Sequence, residues 1–140
     1  MEKETDIAGC FIGEMNVVIN KKDMDYSLVL FEQMPDGRYF YLSYFMGRAS
    51  HAGSNLERKL LTPGKKTTLP FVNSYFTSKR LQKGSRLVLI VNVNKTPNEQ
   101  INYGTGKDVS AETLLDAQEP LRIQWLNSSY IKVPVNRSVN

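Results

Sequence analysis

One stretch of the sequence places two potentially catalytic residues side by side. Residues 47–53 (GRASHAG) put Ser50 next to His51, the one histidine of the chain, and a serine with a histidine is the minimum for nucleophilic catalysis. A nucleophile elbow needs G-x-S-x-G on a turn from strand to helix, however, and the spacing here is different. On an extended chain adjacent side chains point to opposite faces, so these two would not form a productive hydrogen bond. The stretch therefore predicts no catalytic residue.

Two other stretches have residue types that bind ligands. Residues 103–108 (YGTGKD) are similar to a phosphate-binding loop, but in the frame G-x-x-x-x-G-K-[ST] Ile101 replaces the first glycine and Asp108 the hydroxyl residue. A flexible turn is therefore the favoured interpretation. Asp23 and Asp25 could offer carboxylates to a calcium ion, yet the D-x-[DN]-x-[DN]-G pattern of a calcium loop is absent. We interpret both as turn and strand-entry residues.

The composition narrows the class of protein. The chain has 140 residues, 41% hydrophobic and 23% charged, which predicts a single globular domain over residues 1–140. The net charge of +4 comes from scattered basic residues, so no nucleic-acid-binding face is predicted. No apolar run reaches the roughly 18 residues of a membrane span, so no membrane partner is predicted. The chain has one cysteine, Cys10, and one histidine, so the sequence predicts neither a disulfide nor a zinc site. It predicts no cofactor, and it does not indicate the cellular compartment.

Short apolar runs rich in β-branched and aromatic residues, separated by turn signals, predict an all-β, two-sheet sandwich. The predicted strands are Phe11–Asn20, Tyr26–Gln33, Tyr39–Arg48, Thr67–Phe76, Arg86–Asn92, Leu121–Leu126 and Tyr130–Pro134. Residues 34–37 (MPDG) predict a tight hairpin, and residues 61–64 and 82–85 predict further turns. Residues 127–129 are expected to close the last hairpin. Residues 86–91 are almost all apolar, which predicts the central strand, buried on both faces.

One segment is typical of a helix instead. Residues 110–117 (SAETLLDA) begin with Ser110, a capping residue, and Pro120 ends the pattern within about two turns. We expect at most one short helix here, inside a long loop from roughly Asn94 to Glu119. A loop of this length in a compact domain is either functional or packed on a neighbour.

The aromatic run over residues 39–45 (YFYLSYF) indicates a surface that needs a partner. Strand alternation sends one set of side chains to one face and the other set to the opposite face, namely Tyr39, Tyr41, Ser43 and Phe45 against Phe40, Leu42 and Tyr44. The tyrosines could pack beneath a neighbouring domain, or they could stack on sugar rings. Packing is the favoured interpretation. The residues expected at such an interface are Tyr39, Tyr41, Arg48 and His51.

The order of seven segments along the chain is more specific than any one of them. In sequence they are TDIAG at 5–9, DYSLVL at 25–30, MPDG at 34–37, GRASH at 47–51, LTPG at 61–64, LQKGSRLVL at 81–89 and SYIKVPV at 129–135. From about Asp6 to Val135 this order resembles the C-terminal non-catalytic domain of X-Pro dipeptidyl-peptidases and cocaine-esterase-like serine hydrolases.

The resemblance implies a jelly-roll sandwich of the galactose-binding-domain type, attached after an α/β-hydrolase domain. In that family the Ser–His–Asp triad belongs to the hydrolase domain, and none of its motifs matches a position here. Residues 47–51 and Asp25 match recurring positions of the sandwich with structural roles. The implied partner is the α/β-hydrolase domain of the same polypeptide, with which the sandwich shapes the approach to the active site.

The start of the chain departs from the family pattern. Family sandwiches normally have strand sequence before the stretch that matches residues 5–9, and here Met1 comes almost at once. We therefore expect an excised C-terminal fragment of a larger enzyme, inactive alone, with an uncovered surface through which it self-associates. The alternative from another class is a stand-alone carbohydrate-binding module that uses the tyrosine face or the long loop.

Overall fold

The computed structural model describes residues 1–93, 96 and 98–136, so the start of the loop predicted from Asn94, at residues 94, 95 and 97, lies outside it. Within it are ten strands, β1 (Thr5–Gly9), β2 (Ile12–Ile19), β3 (Asp25–Gln33), β4 (Tyr39–Arg48), β5 (Lys66–Val72), β6 (Thr77–Leu81), β7 (Arg86–Val93), β8 (Ile123–Trp125), β9 (Tyr130–Lys132) and β10 (Val135–Asn136). It also has 3₁₀ turns over Ala49–His51, Val109–Ala111 and Leu114–Ala117. The all-β prediction is confirmed.

The described strands form three antiparallel sheets around a shared core. Their orders are β10-β1-β6, β5-β2-β8 with β9 also paired to β2, and β4-β3-β7. In β3 buried and half-buried residues alternate along the whole strand, so every second side chain from Tyr26 to Glu32 points inward. Phe11 and Phe71 pack edge to face in the core, with ring centroids 6.1 Å apart. This layering confirms the sandwich, whereas the galactose-binding-domain type stays a prediction.

Strand β2 pairs along one edge with two successive strands. Ile19 is opposite Ile123 of β8, and Glu14 is opposite Tyr130 of β9. Both strands run antiparallel to β2, so β9 continues the line of β8 instead of folding back on it. The prediction that residues 127–129 close a hairpin is therefore wrong. They form a short loop, called the 127–129 loop below, that leaves the sheet between β8 and β9, two strands that pair with the same edge of β2.

Asn16 of β2 holds the 127–129 loop in place. Its backbone N–H donates to Ser129 Oγ at 2.9 Å, and its side-chain amide donates to Ser128 O at 3.1 Å. Its carbonyl oxygen accepts from Leu126 N at 2.9 Å, and its side-chain oxygen accepts from Thr68 Oγ1 at 2.7 Å. The 127–129 loop can interrupt the strand pairing because the buried side chain of Asn16 provides hydrogen-bond partners for polar groups that regular pairing would leave without one.

Replacing Asn16 by alanine should lower the free energy of unfolding by about 1–3 kcal/mol, because the Thr68 hydroxyl and the Ser128 carbonyl lose a part-buried partner. Urea unfolding followed by circular dichroism measures the loss. Asn20→Ala is the matched control, since the Asn20 side chain also makes two hydrogen bonds, to Pro120 and Arg122, but in exposed surroundings. An equal loss in both variants would contradict the role assigned to Asn16.

The strand predicted over Thr67–Phe76 ends at Val72 as β5, and the next strand, β6, begins at Thr77 in a different sheet. The chain turns at Asn73, which is fully buried. Its backbone N–H donates to Phe11 O at 2.9 Å, and its side-chain amide donates to Ser43 Oγ at 2.6 Å. These long-range partners redirect the chain, and the residue pattern of the segment carries no sign of them.

Strand β7 is not the central strand that its apolar sequence predicts. Among the described strands it pairs with β3 alone, and β3 lies in the middle of that sheet. Its inward side chains, Leu87, Leu89 and Val91, pack against the core, whereas Ile90 on the opposite face is 47% exposed. The run is apolar on both faces because the middle of the outward face of this sheet, around Val29 and Phe31, is apolar as well, and no second layer of the described chain covers it.

The region predicted as one helix over residues 110–117 contains two 3₁₀ turns. Asp108, not Ser110, caps the first turn, and its side chain accepts from Ser110 N. Thr113 and Asp116 cap the second turn reciprocally, side chain to backbone. Short polar side chains at both starts make local bonds that interrupt a continuous helix.

Candidate functional site

A β-bulge in β4 decides which aromatic side chains share a face. Leu30 of β3 is opposite Ser43, but the next residue, Phe31, is opposite Tyr41, so Leu42 has no partner across the pair. The extra residue reverses the alternation beyond it. Tyr39 and Tyr41 therefore do not share a face with Ser43 and Phe45, and the predicted alternation is wrong beyond Leu42.

Directly opposite residues of an antiparallel pair point to the same side, so the pairing defines an outer face of the β4-β3-β7 sheet. Its apolar and aromatic members are Val29 and Phe31 of β3, Tyr39, Tyr41, Tyr44 and Met46 of β4, and Val88 and Ile90 of β7. Several are strongly exposed, among them Tyr39 at 56% and Tyr41 at 50%. Contiguous exposed apolar surface of this kind is typical of interaction sites.

The aromatic side chains of the outer face hold one another in position. Phe31 meets the rings of Tyr39 and Tyr41 edge on, with centroids 6.1 and 5.9 Å away. Tyr44 stacks on Tyr75 with centroids 4.9 Å apart, and their hydroxyls lie 3.0 Å apart. This hydrogen bond to Tyr75 raises the pKa of Tyr44. The face is thus already ordered by its own contacts.

Arg48 lies at the end of the outer face and ties it to the loop after β7. Its guanidinium makes a bidentate pair with Asp25, at 2.8 and 2.9 Å, and also donates to Gln100 at 3.1 Å. The hydrogen bonds that Arg48 donates to the Asp25 carboxylate raise the pKa of Arg48. Asn102 of the same loop donates to Asp25 at 2.9 Å. Arg48 therefore fastens β3, β4 and the loop together.

Of the four residues predicted for an interface, the structure brings Tyr39, Tyr41 and Arg48 to the outer face. His51 lies instead in the 3₁₀ turn that follows β4, with Nδ1 3.4 Å from Ser54 O. Sequence reasoning missed Tyr44, because the bulge was not visible, and Ile90, because β7 was assigned to the centre of the sheet. The role of the four residues at an interface stays a prediction.

Ser50 and His51, which the sequence places side by side, have different partners. The chain here is a 3₁₀ turn and not extended. The Ser50 hydroxyl donates to the carboxylate of Asp23 at 2.7 Å, and the Ser50 backbone N–H donates to the same side chain at 2.9 Å. Arg58 adds an ion pair to Asp23 at 3.2 Å. This arrangement fixes a turn in which the Ser50 hydroxyl is bonded to the buried Asp23 carboxylate and His51 lies near Ser54 O.

In the loop over residues 103–108, which is similar to a phosphate-binding loop, the carboxylate of Glu112 takes the place that an anion would have. The carboxylate of Glu112 accepts from the backbone N–H groups of Tyr103 at 2.7 Å and Thr105 at 2.9 Å, and also from the Thr105 hydroxyl. Gly104 adopts a φ of 76°, which brings these groups to one side. The donors that would hold a phosphate are therefore already used, in agreement with the turn predicted there.

The described residues give two further findings about ligands and membranes. Asp23 and Asp25 face different partners, Arg58 and Arg48, so they do not converge on a common point. Within residues 1–93, 96 and 98–136 no group of three or more His, Cys, Asp and Glu side chains is arranged to hold a metal ion. No helix in this part of the chain has the length and apolar character needed to cross a membrane.

Comparisons with known proteins find similarity in structure but not in sequence. No protein-family model matches the chain, and no curated protein matches it. An alpha-amino acid ester hydrolase, labelled with selenomethionine, matches with a TM-score of 0.84 at 19% identity, over 97% of this chain and 24% of its own. An aminopeptidase from the marine sediment archaeon Thaumarchaeota archaeon matches with a TM-score of 0.81 at 15% identity, over 96% of this chain and 24% of its own.

Both similar proteins are hydrolases, and this chain spans about a quarter of the length of each. At these identities the match establishes a shared fold. That fold agrees with the resemblance to the C-terminal domain of X-Pro dipeptidyl-peptidases and cocaine-esterase-like hydrolases. The chain is thus a β-sandwich with the fold of one segment of much longer hydrolases, as its sequence resemblance predicts.

Proposed function

We propose that the chain is a non-catalytic, C-terminal accessory domain of a larger serine hydrolase of the X-Pro dipeptidyl-peptidase or acyl esterase type. It packs on the α/β-hydrolase domain of the same polypeptide and helps to shape the approach to the active site. The catalytic serine, histidine and aspartate lie in that other domain. The 140-residue chain alone then has no hydrolytic activity.

The observation that carries this proposal is the outer face of the β4-β3-β7 sheet. The sandwich already encloses a core on the inner side of this sheet, so the outer apolar side chains are not needed for the fold of the domain. A sheet with one face on the core normally carries polar residues on its other face. Tyr39, Tyr41 and Ile90 break that rule, and a second domain against the sheet explains them.

The similar hydrolases support a partner within the same polypeptide. Each has a chain of which only 24% corresponds to this domain, so most of each hydrolase chain lies outside the matched segment. A covalently linked domain needs no high intrinsic affinity, because the linker supplies a high effective concentration. A moderately apolar face with aromatic residues and an arginine at its rim fits such an interface.

A carbohydrate-binding module remains the second candidate, because exposed tyrosines could stack on sugars. The arrangement of the rings favours protein packing. Tyr44 and Tyr75 already stack on each other, and Phe31 is wedged edge on between Tyr39 and Tyr41. Electrophoresis in gels that contain soluble polysaccharides separates the two candidates. Retardation that is lost in Tyr39→Ala and Tyr41→Ala would favour the module.

The size of the native polypeptide tests the proposal directly. An antibody against this domain would be used on extracts of the source cells, with a fluorophosphonate probe that labels active serine hydrolases. We expect a band much larger than 15.9 kDa that also carries the label. An unlabelled band at the size of the chain would overturn the proposal and favour a stand-alone module.

The outer face should also make the isolated chain self-associate. We expect sedimentation equilibrium to show concentration-dependent association of the 140-residue chain. The double variant Tyr41→Lys, Ile90→Lys should be monomeric. Its urea midpoint should be unchanged, because both side chains are about half exposed in the parent chain. Leu115→Lys, at a 91% exposed position outside the sheets, is the control and should associate like the parent chain. A parent chain that stays monomeric at about millimolar concentration would count against the face as an interface.

A further inference from the structure

A cleft opens between the edge strands β4 and β5, where two sheets of the sandwich part. Three aromatic residues line it, with ring centroids 5.8 Å apart for Tyr26 and Phe45, and 5.3 Å apart for Phe45 and Phe71. Arg48 and His51 line the same cleft. Its volume of about 430 Å³ is in the range of sites for small organic molecules.

The hydroxyl group of Tyr26 is unused. Tyr26 has no exposed surface, and its oxygen has no hydrogen-bond partner within the described part of the chain. Burial raises the pKa of Tyr26, so the group keeps its proton and stays a hydrogen-bond donor. Folded proteins leave few buried polar groups without a partner, so a donor in this position calls for an acceptor from outside the described chain.

The cation that lines the cleft, Arg48, is already paired with Asp25. Arg48 lines the cleft beside His51, and no carboxylate is among the described lining residues. The bonds of Arg48 to Asp25 and Gln100 use Nε and Nη2, which leaves the Nη1 donors for another acceptor. Because Asp25 already neutralises Arg48, these Nη1 groups meet an acceptor as hydrogen-bond donors and not as an unpaired charge.

The absence of a side chain at Gly47 makes room for the ring of Phe45 at the wall of the cleft. A Cβ atom at this position would lie 2.7 Å from the ring of Phe45 and 3.4 Å from that of Tyr26. Gly53, across the cleft, has open space where its own Cβ would be. Phe45 is half-buried, whereas Tyr26 and Phe71 lie deeper, with 0% and 4% of their surface exposed.

From these observations we propose that the cleft binds a small carboxylic acid with an apolar body. The apolar body packs on Phe45 and Phe71, and the carboxylate accepts a hydrogen bond from the Tyr26 hydroxyl on the side where Arg48 and His51 lie. The inference goes beyond the accessory-domain role and does not depend on it, since every residue involved belongs to this chain.

Phenylacetate is the probe, and phenylacetamide is its neutral counterpart. Titration of the ¹⁵N-labelled 140-residue chain, followed by NMR, should show saturable shifts confined to residues around Gly47 and Gly53. For a ligand of roughly ten non-hydrogen atoms we expect a Kd of about 1 mM. Phenylacetamide should bind about tenfold more weakly, because it lacks the charge that strengthens the hydrogen bond.

Two variants test the assigned roles. Tyr26→Phe keeps the ring and should weaken phenylacetate binding about tenfold, while Tyr130→Phe, the same change on a different sheet, should leave it unchanged. Val72→Glu places a carboxylate at an exposed lining position and should weaken phenylacetate binding, whereas Val72→Gln should not. No saturable binding up to about 50 mM, or equal binding to the Tyr26→Phe variant, would overturn the proposal.

Discussion

Replacing Asp23 by alanine should lower the free energy of unfolding by about 3–5 kcal/mol, a large share of the roughly 5–15 kcal/mol that keeps a domain folded. The fully buried carboxylate accepts from the backbone N–H groups of Met24 and Ser50, both at 2.9 Å, and from the Ser50 hydroxyl. It also neutralises Arg58. The variant leaves three donors and one cation without their partner, and urea unfolding at neutral pH measures the consequence.

The control for Asp23 is an aspartate with a similar ion pair on the surface. Asp36 pairs with Arg38 at 2.7 Å, but both side chains are well exposed, so Asp36→Ala should leave the urea midpoint almost unchanged. The loss at Asp23 should also involve the two loops that it joins. Hydrogen exchange should therefore rise around Ser50 and Arg58 in Asp23→Asn, even if that variant stays folded. Similar midpoints for Asp23→Ala and Asp36→Ala would refute this role of Asp23.

Replacing Glu32 by glutamine should lower the free energy of unfolding at neutral pH by about 2 kcal/mol. It should also make this free energy depend less on pH in the acidic range. Burial opposes the charged form, but hydrogen bonds from Ser85 Oγ and Gln82 N together with the charge of Lys79 outweigh it and lower the pKa of Glu32. A carboxyl whose pKa is lower in the folded chain stabilises it above the unfolded pKa, about 4.3.

That contribution is lost as the pH falls through the folded pKa of Glu32. The difference in unfolding free energy between the parent chain and Glu32→Gln should therefore be largest from pH 5 upward and shrink steadily below about pH 4.3. Urea unfolding at four pH values between 3 and 7 measures it. A difference that stays constant over this range would show that the ionised form of Glu32 is not what stabilises the fold.

Local signals in the sequence predict the local parts of this fold. The residue types Pro and Gly at 34–37 predict a hairpin, and Gly37 has the expected positive φ of 85° with its N–H bonded to Met34 O at 2.9 Å. Strands β2, β3 and β4 also lie where the apolar pattern places them. By contrast β1 and β10 have five and two residues, too few for a periodic pattern to be recognised.

The parts that depend on distant partners were not predictable in this way. The sequence around Leu42 does not indicate a bulge, because an extra residue in β4 can be recognised only from its pairing with β3. The apolar run of β7 has the same pattern whether a second layer or a separate domain covers it. The sequence therefore pointed to Tyr39, Tyr41 and Arg48 as surface residues but could not assemble the outer face around them.

The sequence indicates a turn role for Asp23, and its position between β2 and β3 agrees with that. Its partners come from residues 50 and 58, and no spacing rule connects a short turn with a loop so far along the chain.

The pairing of β2 with β8 and β9 has a consequence for how the chain folds. Asn16 and Ser129 are 113 positions apart, so the edge of this sheet closes only when the two ends of the described chain meet. Contacts of such separation slow folding, and domains dominated by them fold in milliseconds to seconds. During synthesis β2 therefore has a free edge until almost the whole domain has left the ribosome, and a chain stopped before β8 would expose that edge to other chains.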